Sequence, residues 1–178
     1  GGSPIQEKQM VTQKGANTFV VGIHGNFDDA QTGVKKIFSD KELAKEMDEK
    51  GFQFSSANSI NIGRLVPQIC YYVYAYAQLL KDGKITEGEK INVVVPTGNF
   101  GNILAAFYAK NMGLPIDKLI CASNDNKVLY DFFRTGTYDR SREFVLTTSP
   151  SMDILISSNL ERLIYRIAGN DADKNREL

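Results

Sequence analysis

Hydrophobic residues in this chain alternate between strand-like and helix-like patterns. Runs of β-branched and aromatic residues predict strands at 18–23, 52–54, 91–95 and 119–122. Apolar residues spaced three to four apart predict helices at 30–38, 40–49, 62–81, 103–112, 128–134 and 160–167. Strands and helices that alternate in this way favour an α/β fold, here a three-layer αβα arrangement with a mainly parallel sheet. We expect residues 1–178 to form a single α/β unit.

Local signals mark several element ends. Asp28 or Asp29 is suited to cap the helix at 30–38, and glycines follow most of the other helices. The helix at 62–81 carries apolar residues on nearly every face. We therefore expect it to be buried.

Composition narrows the classes of partner. The 178 residues contain 21 basic and 21 acidic side chains, so no basic surface favours nucleic acid or an anionic membrane. Apolar runs are too short for a membrane span. Cys70 and Cys121 lack a CxxC or histidine-rich companion, so we expect two buried, reduced cysteines, no metal site and a cytoplasmic location. A small molecule or another protein is the expected partner.

The two ends of the sequence are unusual. The chain opens on Gly1 without an initiator methionine and stops at Leu178 in a charged run with helical character. We expect a piece of a longer protein, truncated at both ends.

The segment 91–104 runs from a β-branched strand through a glycine-punctuated loop into a helix. Gly98 and Gly101 are expected to enter positive-φ conformations and to approach a ligand closely. Backbone amides at the start of the next helix, with the side chains of Thr97, Asn99 and Asn102, could then donate to an anion. The loop matches neither a Walker loop nor a dinucleotide fingerprint, which leaves a compact phosphate site or an ordinary turn.

Three polar loops follow predicted strands, at 55–61, 97–102 and 123–126. Ligands of open parallel sheets bind beyond the carboxyl ends of strands, so these loops could converge on one crevice.

Arg64 is placed in the first turn of its helix, where a cation is unfavourable. Either it is simply solvated, or it grips an anionic substrate together with Ser56, Asn58 and Asn61. His24, the one histidine, is more typical of a loop residue than of a catalyst. We expect four tyrosines to serve in packing rather than in cofactor binding, namely Tyr71, Tyr72, Tyr74 and Tyr76.

Four motifs together resemble threonine synthase, a pyridoxal-phosphate enzyme of the tryptophan-synthase-β-like fold. They are GNFDDAQ at 25–31, SSANSINIGRLVPQICYY at 55–72, PTGNFGN at 96–102 and SPSMDI at 149–154. The resemblance covers nearly the whole chain. It implies a fold type II enzyme that converts O-phospho-L-homoserine and water to L-threonine and phosphate, with pyridoxal 5'-phosphate as electron sink.

The resemblance also implies roles for particular residues. Those that would hold the cofactor phosphate are Gly98, Asn99, Phe100, Gly101 and Asn102. Those that would line the substrate side are Ser56, Asn58, Asn61 and Arg64. Thr148, within 147–149, would reach the pyridine nitrogen, because enzymes of this fold commonly place a hydroxyl there.

One departure concerns the catalytic lysine. The family's Schiff-base lysine lies in a Phe-Lys-Asp type motif, and no lysine here has that context. Lys81-Asp82 resembles it only superficially, because it ends a helix at an Asp-Gly turn. This chain is therefore expected to contain no catalytic residue and to have no turnover by itself.

Two alternatives stay open. One is another enzyme of the same fold, such as a threonine dehydratase or a cysteine synthase. The other is a non-catalytic homologue that binds a phosphate ligand. The sequence leaves the oligomeric state open.

Overall fold

The computed structural model describes residues 4–25 and 27–178. The helices are α1 Pro4–Val11, α2 Phe27–Ser39, α3 Lys41–Glu49, α4 Ile62–Leu65, α5 Ile69–Lys81, α6 Gly101–Asn111, α7 Val128–Thr135, α8 Leu160–Ile167 and α9 Ala172–Glu177. Two 3-10 turns lie at Val66–Gln68 and Pro150–Met152, and the strands are β1 Ile91–Pro96 and β2 Ile116–Ala122. None of the described helices combines the length and apolar character that a membrane crossing requires.

The two strands form a parallel pair joined by α6. Val93 faces Leu119 and Val95 faces Cys121 in the register. A parallel pair needs a crossover connection, which α6 provides. The predicted α/β class and parallel strand pairing are confirmed.

The core lies around α6. Ile103, Leu104 and Ala105 are almost completely buried, because α6 is covered on several sides rather than along one stripe. The core residues contributed by neighbouring elements are Leu65, Val95, Val128, Leu129, Leu160 and Leu163. The βαβ unit therefore fixes the loop that joins β1 to α6.

Two predicted strands are wrong. Residues 18–23 and 52–54 form no strand, and Phe19 and Val21 are 85% and 84% exposed. Strand propensity depends on a hydrogen-bonded neighbour, and in the described ranges β1 and β2 pair only with each other. The apolar residues at 18–23 therefore satisfy the strand pattern without a sheet to join.

The start of α2 also differs from the prediction. The helix begins at Phe27, so Asp28 and Asp29 lie in its first turn rather than cap it. Carboxylates there still favour the helix through its dipole. The predicted turn includes Asn26, which lies outside the described residues.

The predicted helix at 62–81 is divided by the 3-10 turn around Pro67. Its expected burial is wrong for α5, in which Tyr76 is buried but Tyr71 and Tyr74 are 61% and 67% exposed. Within the described chain α5 packs mainly on α6, so one face is covered.

Both cysteines are free thiols, as expected. Their predicted burial is wrong for Cys70, which is exposed on α5, whereas Cys121 on β2 is half-buried. The exposed face of α5 accounts for the difference.

Glycines follow five of the described helices, as predicted. The left-handed residues at these helix ends are Gly51, Gly83, Gly113, Gly136 and Gly169. Only glycine adopts this conformation without a steric penalty. Helix α9 lies in the charged run whose helical character the sequence shows, whereas the short helix α1 was not predicted.

Candidate functional site

Residues 98–102, here called the glycine loop, connect β1 to α6. Its left-handed residue is Phe100, with φ of 64°, and neither glycine adopts positive φ, which corrects the prediction. Both glycines are instead closely packed, and Gly101 leaves no room for a side chain. A Cβ on Gly98 would lie 2.7 Å from Cδ1 of Ile154, and one on Gly101 would collide with the side chain of Ser59.

The amides of this loop are unpaired. Among the described residues, no protein group accepts a hydrogen bond from the backbone N–H groups of 98–103. The amide of Leu104 is the first in α6 to be bonded, to the carbonyl of Phe100 at 3.1 Å. Free amides at a helix start, together with the helix dipole, favour an anion.

Two side chains expected to donate to an anion are occupied otherwise. Thr97 donates its hydroxyl to the carbonyl of Val95 at 2.7 Å. Asn102 accepts from the hydroxyl of Tyr72 at 2.5 Å and donates to Oε1 of Gln68 at 3.0 Å. Asn102 could therefore serve an anion through its backbone amide, while its side chain ties α6 to α5.

Asn99 is engaged through its acceptors. Its carbonyl accepts from the amide and from Nδ2 of Asn159, at 3.1 and 3.0 Å. Its Oδ1 accepts a longer bond, 3.4 Å, from Ser158. Its carbonyl is thus held by the segment before α8.

The loop at 55–61, here called the Ser/Asn loop, is bonded to itself. Ser56 Oγ accepts from the amide of Asn58, and Asn58 Oδ1 accepts from the amide of Ile60, both at 3.1 Å. Asn61 caps α4 by accepting from the amide of Gly63 at 2.9 Å, and its Nδ2 donates to the carbonyl of Ser56. These bonds give the loop a defined shape.

Arg64 is drawn toward the same loop. Its Nε donates to the carbonyl of Ala57 at 3.0 Å, while the residue as a whole is exposed. No described acceptor takes a bond from its terminal nitrogens, so they can serve a ligand. Beside the loop is a cavity of about 500 Å³ lined by residues that include Phe38, Phe54, Ser56, Asn61 and Arg162.

A segment before α8 joins the two loops, and the sequence did not reveal it. Ser157 donates its hydroxyl to the carbonyl of Gly98. Asn159 is completely buried and donates through Nδ2 to Ser59 Oγ at 3.2 Å as well as to the carbonyl of Asn99. The expected meeting of the first two polar loops therefore occurs through packing and through Asn159.

The third polar loop is bonded to Asp153, whose neighbour Ile154 packs on Gly98. This buried carboxylate accepts from Asn124, from Asn126 and from both the amide and the hydroxyl of Thr147, at 2.7 to 3.0 Å. Burial acts to raise the pKa of Asp153, but these hydrogen bonds outweigh it and lower that pKa below the usual value. Thr148, the predicted pyridine contact, is exposed beside the fixed Thr147.

His24 lies apart from these contacts. It is exposed in the segment before α2. The described residues contain no group of three or more His, Cys, Asp or Glu side chains placed to hold a metal.

Known proteins with similar sequences are threonine synthases and threonine synthase-like proteins. The chain is 49% identical to human threonine synthase-like 1 over 180 residues, covering 100% of this chain and 24% of that protein. It is 46% identical to threonine synthase of Saccharomyces cerevisiae over 166 residues, covering 93% of this chain and 31% of that enzyme. No family model matches.

A solved structure gives the same result. The PLP-bound threonine synthase from Brucella melitensis superposes with a TM-score of 0.78 and 44% identity, over 99% of this chain and 36% of that one. This chain therefore has the fold of part of a fold type II pyridoxal-phosphate enzyme. Within that class it belongs to the threonine synthase family, as the sequence motifs predicted. It spans about a quarter to a third of the length of these relatives.

Proposed function

We propose that these 178 residues belong to a longer threonine synthase and supply part of its cofactor and substrate sites. The longer enzyme would convert O-phospho-L-homoserine and water to L-threonine and phosphate. The run of amides at 98–103, which are unpaired among the described residues, is the observation that carries this proposal. The match to threonine synthases supports it.

The glycine loop fits the phosphate of pyridoxal 5'-phosphate. The amides of Gly98, Asn99, Phe100, Gly101 and Asn102 would bind the phosphate oxygens, helped by the positive end of α6. When bound, the cofactor supplies an electron sink for chemistry at the substrate's α and β carbons. Thr148, held by its neighbour Thr147, would place a hydroxyl near the ring nitrogen.

The Ser/Asn loop would form the substrate side. Arg64 is already tethered through Nε, so its terminal nitrogens can offer a bidentate contact to a phosphate or carboxylate. Ser56, Asn58 and Asn61 would act mainly by shaping the loop, since their side chains bond within it. The substrate would then lie between Arg64 and the glycine loop.

A polypeptide of these residues alone is proposed to have no turnover. None of its lysines lies in a Phe-Lys-Asp type motif. Without such a lysine there is no group to bond the cofactor covalently or to take a proton from the substrate.

The test is an assay of the full-length protein. Phosphate release from O-phospho-L-homoserine should require added pyridoxal phosphate and should be absent from the 178-residue chain. Serine or threonine as the preferred substrate would point instead to a cysteine synthase-like or dehydratase-like enzyme. Cofactor binding without formation of product from any of the three substrates would favour the non-catalytic homologue and contradict this proposal.

A further inference from the structure

Arg162 makes an unusual set of contacts for a residue in the first turn of a helix. Its NH1 donates to the carbonyl of Ser59 at 2.9 Å and to Oδ1 of Asn159 at 2.5 Å. Its NH2 donates to the carbonyl of Ile60 at 2.6 Å. A cation near the start of α8 is opposed by the helix dipole, and these three charge-assisted bonds offset that cost.

Asn159 connects the same contacts to the glycine loop. Its side chain is fully buried and hydrogen-bonded at both ends. Its Nδ2 donates to Ser59 Oγ and to the carbonyl of Asn99, and its Oδ1 accepts from Arg162. One side chain thus touches both loops, although Ser59 and Asn159 are 100 residues apart in sequence.

The carbonyls that Arg162 bonds, those of Ser59 and Ile60, lie in the second half of the Ser/Asn loop. The loop's internal bonds fix its own shape but not its distance from other elements. Arg162 and Asn159 fix the distance between the Ser/Asn loop and α8. They can do so because α8 packs in the core through Leu160 and Leu163.

We propose that Asn159 and Arg162 are positioning residues that hold the Ser/Asn loop at a fixed distance from the glycine loop. This inference rests on the proposed function, in which the two loops bind substrate and cofactor phosphate. Arg162 holds the Ser/Asn loop on the substrate side. Asn159 holds both loops, because it also bonds Asn99 in the glycine loop.

A comparison of Arg162→Gln with Arg166→Gln in the full-length protein tests the role. Both substitutions remove one positive charge from α8, but Arg166 is exposed and contacts neither loop. Arg162→Gln should raise KM for O-phospho-L-homoserine by about tenfold or more, the effect of losing a charge-assisted bond. The fall in kcat and the change in pyridoxal phosphate affinity should both be smaller. Arg162→Lys, which keeps a charged donor, should recover part of the loss, and it serves in place of Arg162→Gln if that variant does not fold.

Amide hydrogen exchange gives a readout that does not depend on activity. In the full-length protein without substrate, the amides of Asn58, Ile60 and Gly63 should exchange about tenfold faster in the Arg162 variant than in the Arg166 variant. Amides of β1 should keep the same rates in both.

Two results would overturn the inference. One is equal KM values and equal loop exchange in the Arg162 and Arg166 variants. The other is faster exchange throughout the protein, which would mean that Arg162 supports the fold in general. If the wild-type protein releases no phosphate, the proposed function fails, but the exchange comparison still decides whether Arg162 fixes the loop.

Discussion

Gly98 and Gly101 are confined by side chains that come from distant parts of the sequence. Ile154 packs on the first and Ser59 on the second, and at Gly101 space rather than backbone conformation requires glycine. The proposed phosphate site therefore depends on residues that precede it by about forty positions and follow it by more than fifty.

Substitution of Gly101 by alanine should destabilise this chain. The added Cβ would collide with Ser59, and such overpacking typically costs about 1–3 kcal/mol in free energy of unfolding. Urea unfolding of the variant and of the wild-type chain measures the difference.

Gly33→Ala is the matched control. Gly33 lies inside α2 and a Cβ there meets open space, so this variant should gain about 0.5–1 kcal/mol from helix propensity. A Gly101 variant as stable as the Gly33 variant would mean that Ser59 does not pack on the loop as described.

A tyrosine hydroxyl on α5 is hydrogen-bonded to α6 near the glycine loop. The hydroxyl of Tyr72 on α5 donates to Asn102 on α6, and burial raises the pKa of Tyr72 to about 12. The neutral phenol is therefore favoured in the folded state.

This contact predicts a specific pH dependence. Because the folded pKa of Tyr72 lies above the unfolded value of about 10, its stabilising effect is complete below pH 10 and is lost as the pH rises toward 12. Tyr72→Phe should cost about 1 kcal/mol at pH 7. The gap between wild type and variant should narrow above pH 10, as measured by urea unfolding at a series of pH values.

Tyr74→Phe supplies the comparison for this prediction. Tyr74 is 67% exposed on the same helix and makes no hydrogen bond to a described residue. Loss of the Tyr74 hydroxyl should change neither the free energy of unfolding at pH 7 nor its dependence on pH above 10. A Tyr72 variant with the same pH profile as the wild type would contradict the proposed link.

Local signals explain which elements the sequence predicted. The strand at 91–95, its crossover helix and the helix-ending glycines depend on nearby residues, and all appear in the structure. The segment 18–23 has equal strand character but no sheet partner, which no local pattern reveals. The helix at 62–81 was predicted, but its exposed face was not.

The candidate site likewise contains parts that local sequence predicts and parts that it does not. The glycine loop and the Ser/Asn loop were recognised from their own residue types and motifs. Asn159 and Arg162 were missed because their partners lie about a hundred residues away, and a polar Ser-Ser-Asn run before a helix resembles an ordinary cap. Asp153 lies within a motif that the sequence shows, but its four donors come from two other segments, the third polar loop and Thr147.

The 178 residues expose several large apolar side chains. Tyr74 on α5 and Val94 on β1 are 67% and 60% exposed, and the sheet has two strands within the described ranges. The proposal that the residues belong to a longer enzyme accounts for this, since the chain spans only 36% of the Brucella melitensis threonine synthase it matches. The remaining part of such an enzyme would supply the Schiff-base lysine and would cover these exposed apolar side chains.

A crystal structure of the full-length protein with pyridoxal phosphate would test the central proposal most directly. The predicted result is a cofactor phosphate within about 3 Å of the backbone nitrogens of the glycine loop, with Asn102 still bonded to Tyr72 through its side chain. A cofactor phosphate bound elsewhere, with the amides of 98–103 facing only solvent, would contradict the proposal.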